Sequence, residues 1–389
     1  MFYYEFQNST KIISGKNSIA NIPAELNFYD SKRPLLISDT VLNQIGTVQK
    51  IANSIKDGDI EIGYTFTEVP QDSDLKVINE LCKIYKENNC DSIVAVGGGS
   101  VIDTAKGVRM LISQDVLDIN DLMGDEILKY GKHIPFIVIP TTAGTGSEVT
   151  LVAVIEDKIK NVKMEFISYF LLPDVAILDS QLTVSLPKKA TASTGIDALC
   201  HAIEAYSCIQ KNPMSDSYAI SAISLIKENL LKVVENGKDE EARLKMANAS
   251  LMAGVSFSNS MVGLVHAIGH SLGAICHIPH GDAISILLPH VMEYNLDVCK
   301  ENYAKLLYFF TSEDEYLKIS KEERAEKFIE KVRELIDDLH DKTGLPNKLE
   351  ISDEDIEKVA KTSINDGAII VNPKKADYED IVEILRKAR

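Results

Sequence analysis

SIVAVGGGSVIDTAKG, residues 92–107, sets three glycines between a run of β-branched apolar residues and a helix-forming stretch. The first part reads as a buried strand and the last as the opening of a helix. Three glycines in a row also suit a plain tight turn. Between a strand and a helix, however, they let the backbone come close to a ligand, while exposed N–H groups and the positive end of the helix dipole can hold a pyrophosphate. Gly97, Gly98, Gly99 and Ser100 are therefore candidate cofactor-binding residues, and Asp103 in the same segment is counted with them.

Working outward, PLLIS at 34–38 and FIVIP at 136–140 repeat the strand signal, and helical patterns alternate with them. Such alternation builds βαβ units, hence a mainly parallel, Rossmann-like sheet with ligands expected at the carboxyl ends of the strands. A second loop, PTTAGTGSE at 140–148, also follows a strand and offers Thr141, Thr142, Thr145 and Ser147 as hydroxyl donors. Loops of this composition serve equally as helix caps. Neither loop is GxxxxGK[ST], which argues against a nucleotide hydrolase. The best ribose-binding acid, Asp39 in LLISDT, precedes the glycines instead of following them by some 20 residues, so the dinucleotide domain expected here differs from the usual one. A carboxylate at a strand end accepts bonds from the ribose and repels a 2′-phosphate, which favours NAD(H) over NADP(H); taken alone, Asp39 also suits a helix cap.

After SLPKKATASTG the texture changes to long apolar-periodic segments with little strand signal. The reading is a nucleotide-binding α/β domain over 1–184 and an all-α domain over 185–389. The charged stretch from 312 to 342 has spaced apolar residues and mixed signs, as a solvated helical face does. With 389 residues and 45% hydrophobic content the chain exceeds a typical single core. A net charge of −17 opposes nucleic acid and anionic membranes as partners. The start, MFYYEFQNSTKIISG, has no signal-peptide pattern, and no apolar run reaches the roughly 20 residues of a membrane span. Six cysteines without CxxC pairs fit free thiols in a reducing compartment, so a cytoplasmic location is expected.

The all-α half carries the second constellation. Asp197 and His201 stand four residues apart in GIDALCHAIEAYS and share a helix face; His266 and His280, also in Ala/Gly-rich apolar stretches, complete a quartet able to close on one divalent ion. Nitrogen and oxygen donors without thiolate suit Fe(II), Zn(II), Mn(II) or Co(II) in a catalytic site better than a closed structural zinc site. Spacing alone leaves a rival, because His270 follows His266 by one helical turn.

These residues resemble the group III, iron-dependent alcohol dehydrogenases, in the lactaldehyde reductase and aliphatic alcohol dehydrogenase branch, over nearly the whole chain. GIDALCHAIE and GLVHAIGHSLGAICHIPHGDA match the family's metal segments, and GGGSVIDTAK and PTTAGTGSEVT match its cofactor loops. The resemblance implies a nicotinamide-binding α/β domain, a helical metal-binding domain and catalysis in the cleft between them. It implies Asp197, His201, His266 and His280 as ligands, with Fe(II) the expected metal and Zn(II) the alternative. Asp39, Gly97 to Ser100, Thr141, Thr142, Thr145, Lys163 and Leu182 would contact the cofactor, and His270 would sit beside nicotinamide and substrate as a catalytic proton relay. Leu151, Phe257 and Ala368 match pocket-lining positions; all are apolar, favouring a small uncharged alcohol or aldehyde over a carboxylate that wants an Arg or Lys clamp. QDSD at 71–74 departs from a frequent Asn-Pro turn and LDSQL at 178–182 from the usual Asp-Pro. Competing readings are a zinc-dependent polyol dehydrogenase, a dehydroquinate-synthase-like lyase, for which no basic cluster stands near the metal segments, and a non-catalytic binding protein, for which no ligand is missing. The family resemblance also implies at least a homodimer.

Overall fold

The computed structural model describes residues 3–122, 131–158 and 162–389. The chain divides into two compact units, Gln7–Ser185 and a second made of Leu186–Arg389. Residues 3–6, which the sequence reading assigned to the nucleotide domain, belong to the second unit, where the Phe6 ring stacks on Tyr218 at 5.9 Å.

The first unit is α/β. Its elements are β1 (Lys11–Ser14), α1 (Ile22–Phe28), β2 (Pro34–Ile37), α2 (Thr40–Gln44), α3 (Thr47–Lys56), β3 (Tyr64–Phe66), α4 (Leu75–Glu87), β4 (Ser92–Gly97), α5 (Gly99–Gln114), β5 (Phe136–Pro140), β6 (Val152–Asp157), β7 (Val162–Ile167) and β8 (Val175–Leu178). Six strands form one sheet in the order β1-β8-β5-β4-β2-β3, every pair parallel, and β6 and β7 form an antiparallel pair. Because side chains alternate along a strand, β4 and β5 feed two cores. Val94, Val96, Ile137 and Ile139 pack with Ile22, Leu26, Ile51 and Ile55 on one face. Ile93, Ala95, Phe136 and Val138 pack with Ile78, Leu81, Val101 and Val108 on the other. Burial on both faces explains why these strands are uninterrupted apolar runs. Each fully buried Ile or Val contributes about 1.5–3 kcal/mol.

Two buried cations tie the sheet unit together. Lys106 Nζ donates to the Thr150 and Val152 carbonyls and to Thr150 Oγ1 at 2.7–2.9 Å, and burial pulls its pKa down to about 8 against the opposing pull of Asp103 and Glu148. Arg109 donates to the carbonyls of Ile134, Phe170 and Leu172 and pairs with Asp174 at 3.1 Å. Arg109→Met should therefore destabilise this unit by about 3 kcal/mol, since it orphans several acceptors and one side of a buried pair. At about 2–4 °C per kcal/mol, calorimetry should record a fall in its transition of about 6–12 °C; a shift under about 2 °C would show that the guanidinium is not what holds these segments.

The second unit is helical: α6 (Lys188–Ser207), α7 (Pro213–Glu235), α8 (Glu240–Ser258), α9 (Leu264–Cys276), α10 (His280–Phe310), α11 (Glu313–Lys318), α12 (Arg324–Thr343), α13 (Asp353–Ser363) and α14 (Tyr378–Ala388). Helix α6 packs against α7, α8 and α10, and its middle is buried on every side, which is why Ala, Gly and Ile dominate it. The start of α10 lies directly on α6: a Cβ added to Gly281 would stand 2.9 Å from Ser193 Cβ and 3.1 Å from its carbonyl oxygen. Only glycine lets the two backbones come that close, and the approach carries His280 toward Asp197. No helix among the described residues is long and apolar enough to cross a membrane.

Candidate active site

In the helical unit, three imidazoles converge on one carboxylate oxygen. Asp197 Oδ1 lies 3.4 Å from His280 Nε2, 3.7 Å from His266 Nε2 and 3.9 Å from His201 Nε2. These separations exceed a hydrogen bond. Two ligands at ~2.1 Å from a tetrahedral ion stand roughly 3.4 Å apart, so the spacing is that of a metal's edges. Asp197 Oδ1 and His266 Nε2 are both buried without a hydrogen-bond partner, a costly arrangement unless a cation satisfies them. Burial alone would push the Asp197 carboxyl up; the facing His201, His266 and His280 hold it well below the ordinary range. The donor set and its orphaned atoms fit a divalent metal.

The quartet is sealed behind and open in front. Asp197, His201 and His266 are buried, whereas the His280 side chain at the first turn of α10 is 39% exposed. His201 is sandwiched between the Phe257 ring at 4.4 Å and the His266 ring at 4.5 Å, which fixes its plane.

Behind His266 stands a residue that the sequence reading missed. Glu204 Oε2 is 2.6 Å from His266 Nδ1 and accepts from the Gly263 amide, while Oε1 accepts from the Val265 amide. One carboxylate thus caps α9 and accepts a hydrogen bond from the Nδ1–H of its histidine, leaving the Nε2 lone pair for an ion. Burial depresses the basicity of His266, but the facing Glu204 and Asp197 carboxylates more than reverse this and hold it well above the ordinary value. The surroundings demand positive charge. Cys200 Sγ is 3.9 Å from His266 Nδ1, and burial pushes its thiol up to about 12, so it is a neutral neighbour and not a thiolate ligand. A signal for Glu204 existed: on α6 it lies one turn past His201 and two past Asp197, an acid on the face that already carries those two candidates.

His270 sits in the same neighbourhood with a partner of its own. Its Nδ1 is 2.9 Å from Asp366 Oδ2, and its ring stacks on His280 at 5.6 Å. Asp366 Oδ1 accepts the Ala368 amide, which also anchors the pocket candidate Ala368. No sequence pattern links Asp366 to His270. Phe257 lies on His201, and Leu151 is buried at the head of β6 in the other unit. His277 ends α9 in a left-handed conformation and is exposed.

In the α/β unit, topology gathers the nucleotide candidates. Strands β2, β4, β5 and β8 are consecutive neighbours, and Asp39, Gly97–Ser100, Thr141–Thr145 and Leu182 follow their carboxyl ends. Ser38 Oγ donates to the Val96 carbonyl and the Thr141 amide to the Gly97 carbonyl, which locks three of these ends together. A Cβ on Gly98 would meet Thr142 Cγ2 at 3.2 Å, and one on Gly99 would meet Thr145 Cγ2 at 3.0 Å, so side chains there would wedge the two loops apart. Asp39 Oδ1 accepts the Leu42 amide and caps α2. Asp103 and Ser147 are engaged with each other: the Ser147 hydroxyl donates to Asp103 Oδ1 at 2.7 Å, and Oδ2 takes the Val154 amide. Leu182 is buried in the apolar core, and Lys163 Nζ pairs with Asp72.

Residues 9–180 match the family model described as iron-containing alcohol dehydrogenase, and residues 191–389 match that described as Fe-containing alcohol dehydrogenase family, C-terminal. The chain belongs to the iron-containing alcohol dehydrogenase family. Among curated relatives of these dehydrogenases, the NAD-dependent methanol dehydrogenase of Bacillus methanolicus is 35% identical over 380 residues, 97% of each chain. A solved 1,3-propanediol oxidoreductase superposes with a TM-score of 0.94 at 32% identity, covering all of both chains. Sulfoacetaldehyde reductase from Bifidobacterium kashiwanohense, solved in complex with NAD+, gives 0.88 at 27% identity over 100% of this chain and 99% of that one. This protein is thus an oxidoreductase of the alcohol dehydrogenase type, with the parallel-sheet and helical parts of that fold.

Proposed function

We propose that this dehydrogenase transfers a hydride between NAD(H) and a small uncharged primary alcohol or aldehyde, with Fe(II) held by Asp197, His201, His266 and His280. The observation that carries this reading is the convergence of three Nε2 atoms within 3.4–3.9 Å of one orphaned, buried carboxylate oxygen. When bound, the metal supplies Lewis acidity toward an alcohol or carbonyl oxygen and the nicotinamide supplies or accepts the hydride. Glu204 keeps His266 in the tautomer that presents Nε2. Asp366 orients His270, whose imidazole can then pass a proton between the reacting oxygen and solvent. Phe257 and Ala368 are apolar, and the side chains found against the quartet (Cys200, Glu204, Phe257 and His270) carry no ammonium or guanidinium to hold a carboxylate or phosphate. The names of the methanol and propanediol relatives agree with small neutral substrates.

Gly97–Ser100, Thr141, Thr142, Thr145 and Lys163 would hold the cofactor's phosphates at the start of α5, and Asp39 its adenosine ribose. We also propose a homo-oligomer, at least a dimer. The reading is tested by anaerobic reduction of a panel of short aldehydes with NADH, using metal-stripped enzyme reloaded with Fe(II) or Zn(II). Activity restored chiefly by iron supports it. Zinc restoring a preference for polyols would favour a polyol dehydrogenase, a real alternative because nitrogen and oxygen donors accept both ions, and no turnover with either metal would sink hydride transfer altogether.

A cofactor prediction follows from Asp39. Glycine at an N-cap costs only a few tenths of a kcal/mol relative to aspartate, so Asp39→Gly leaves α2 intact while removing the repulsion toward a 2′-phosphate. The ratio of kcat/KM with NADP to that with NAD should rise about tenfold, a change of about 1.4 kcal/mol. An unchanged ratio in steady-state assays would mean that another residue reads the ribose.

A further inference from the structure

Lys163 on β7 does not reach into open solvent: its Nζ lies 3.0 Å from Asp72 Oδ1. Asp72 belongs to the turn at 71–74, and that turn is built onto α5. The Asp72 amide donates to Ser100 Oγ at 3.2 Å, and the Ser73 and Thr104 hydroxyls bond at 3.0 Å. The Ser73 carbonyl accepts the Glu156 amide from β6, and Asp74 caps α4 through the Lys76 amide. A negative carboxylate is therefore fixed at the first turn of α5, the helix start whose N–H groups would receive phosphate, and it holds the lysine that would join them.

We propose that Asp72 sets cofactor affinity by competing with the cofactor's phosphates for Lys163. The inference rests on the reading of residues 97–100 and Lys163 as a phosphate site. The ion pair is half-exposed, with side-chain exposures of 27% for Lys163 and 50% for Asp72, so it is weak enough to exchange. On binding, Lys163 leaves one anion for another, and part of the attraction it offers the phosphates is spent on separating it from Asp72. The carboxylate itself also opposes a second negative group nearby. Both effects act in one direction: Asp72 loosens the hold on NAD(H) and speeds its release.

Asp72→Asn tests this without disturbing the turn, because Asp72 has φ +63° and asparagine occupies that left-handed region as readily as aspartate. Equilibrium titration of the full-length enzyme with NADH, followed by nucleotide fluorescence, should give a Kd three- to tenfold lower in D72N. The gain should shrink below twofold in the K163M background, where no lysine remains to be released. Lys163→Met alone should raise Kd. If K163M weakens NADH binding while D72N leaves Kd unchanged or raises it, the competition is overturned and the phosphate site stands. If K163M leaves Kd unchanged, the phosphate site assigned to Lys163 fails and the inference falls with it. A D72N gain that persists undiminished in K163M would also overturn competition, leaving simple charge repulsion.

Discussion

His266→Ala is expected to lower kcat by about three orders of magnitude while NADH binding stays within a factor of about two. The ring supplies one corner of the quartet from a buried position, 3.7 Å from Asp197. Loss of a metal's Lewis acidity forfeits several kcal/mol of transition-state stabilisation, and about 1.4 kcal/mol is a factor of ten. The nucleotide candidates belong to the other unit. The fold should survive, because Glu204 keeps its two backbone donors when the imidazole is gone. His280→Ala provides a milder check, since that ring is part-exposed at a helix start and its removal leaves a smaller hole. Kinetics, metal content and NADH titration on both variants decide the matter. Near-normal turnover in either would remove that histidine from the ligand set.

Glu204→Gln should weaken metal affinity by about 10–100-fold, although Glu204 touches no ion in the proposed arrangement. Both carboxylate oxygens only accept: Oε2 faces His266 Nδ1 and the Gly263 amide, and Oε1 faces the Val265 amide. An amide has one acceptor and one donor end. Its NH2 must face a donor at one position; where it faces His266 Nδ1, the ring proton moves to Nε2 and blocks the lone pair that the metal needs. The change also removes a negative charge from the site. Competition with a chelator at constant pH measures the effect directly, and a retention time equal to that of the unaltered enzyme would show that Glu204 serves only to cap α9.

Periodicity and local chemistry made much of this legible. The strands over 34–38, 92–96 and 136–140 were readable because a strand buried on both sheet faces is apolar at nearly every position, and that requirement is written locally. Asp197 and His201 were readable as a pair because a helix puts residues four apart on one face. The glycines at 97–99 were readable because a strand, loop and helix in succession admit few uses. Asp103 and Ser147 show the limit of that logic: their position in cofactor-like loops says nothing of the hydrogen bond that joins them.

By itself, then, the sequence determined an α/β unit followed by a helical one, the loops that would meet a dinucleotide, and the residue types of a nitrogen and oxygen metal site. Tertiary structure alone decided which groups meet across long stretches of chain. Gly281 seats α10 on α6 and brings His280 to Asp197, Glu204 reaches α9 to orient His266, Asp366 holds His270, and Asp72 claims Lys163. The physical reason is that a sequence pattern records how each segment buries its own face, whereas a hydrogen bond or ion pair between distant segments depends on interhelical distance and side-chain direction, which only the packed chain defines.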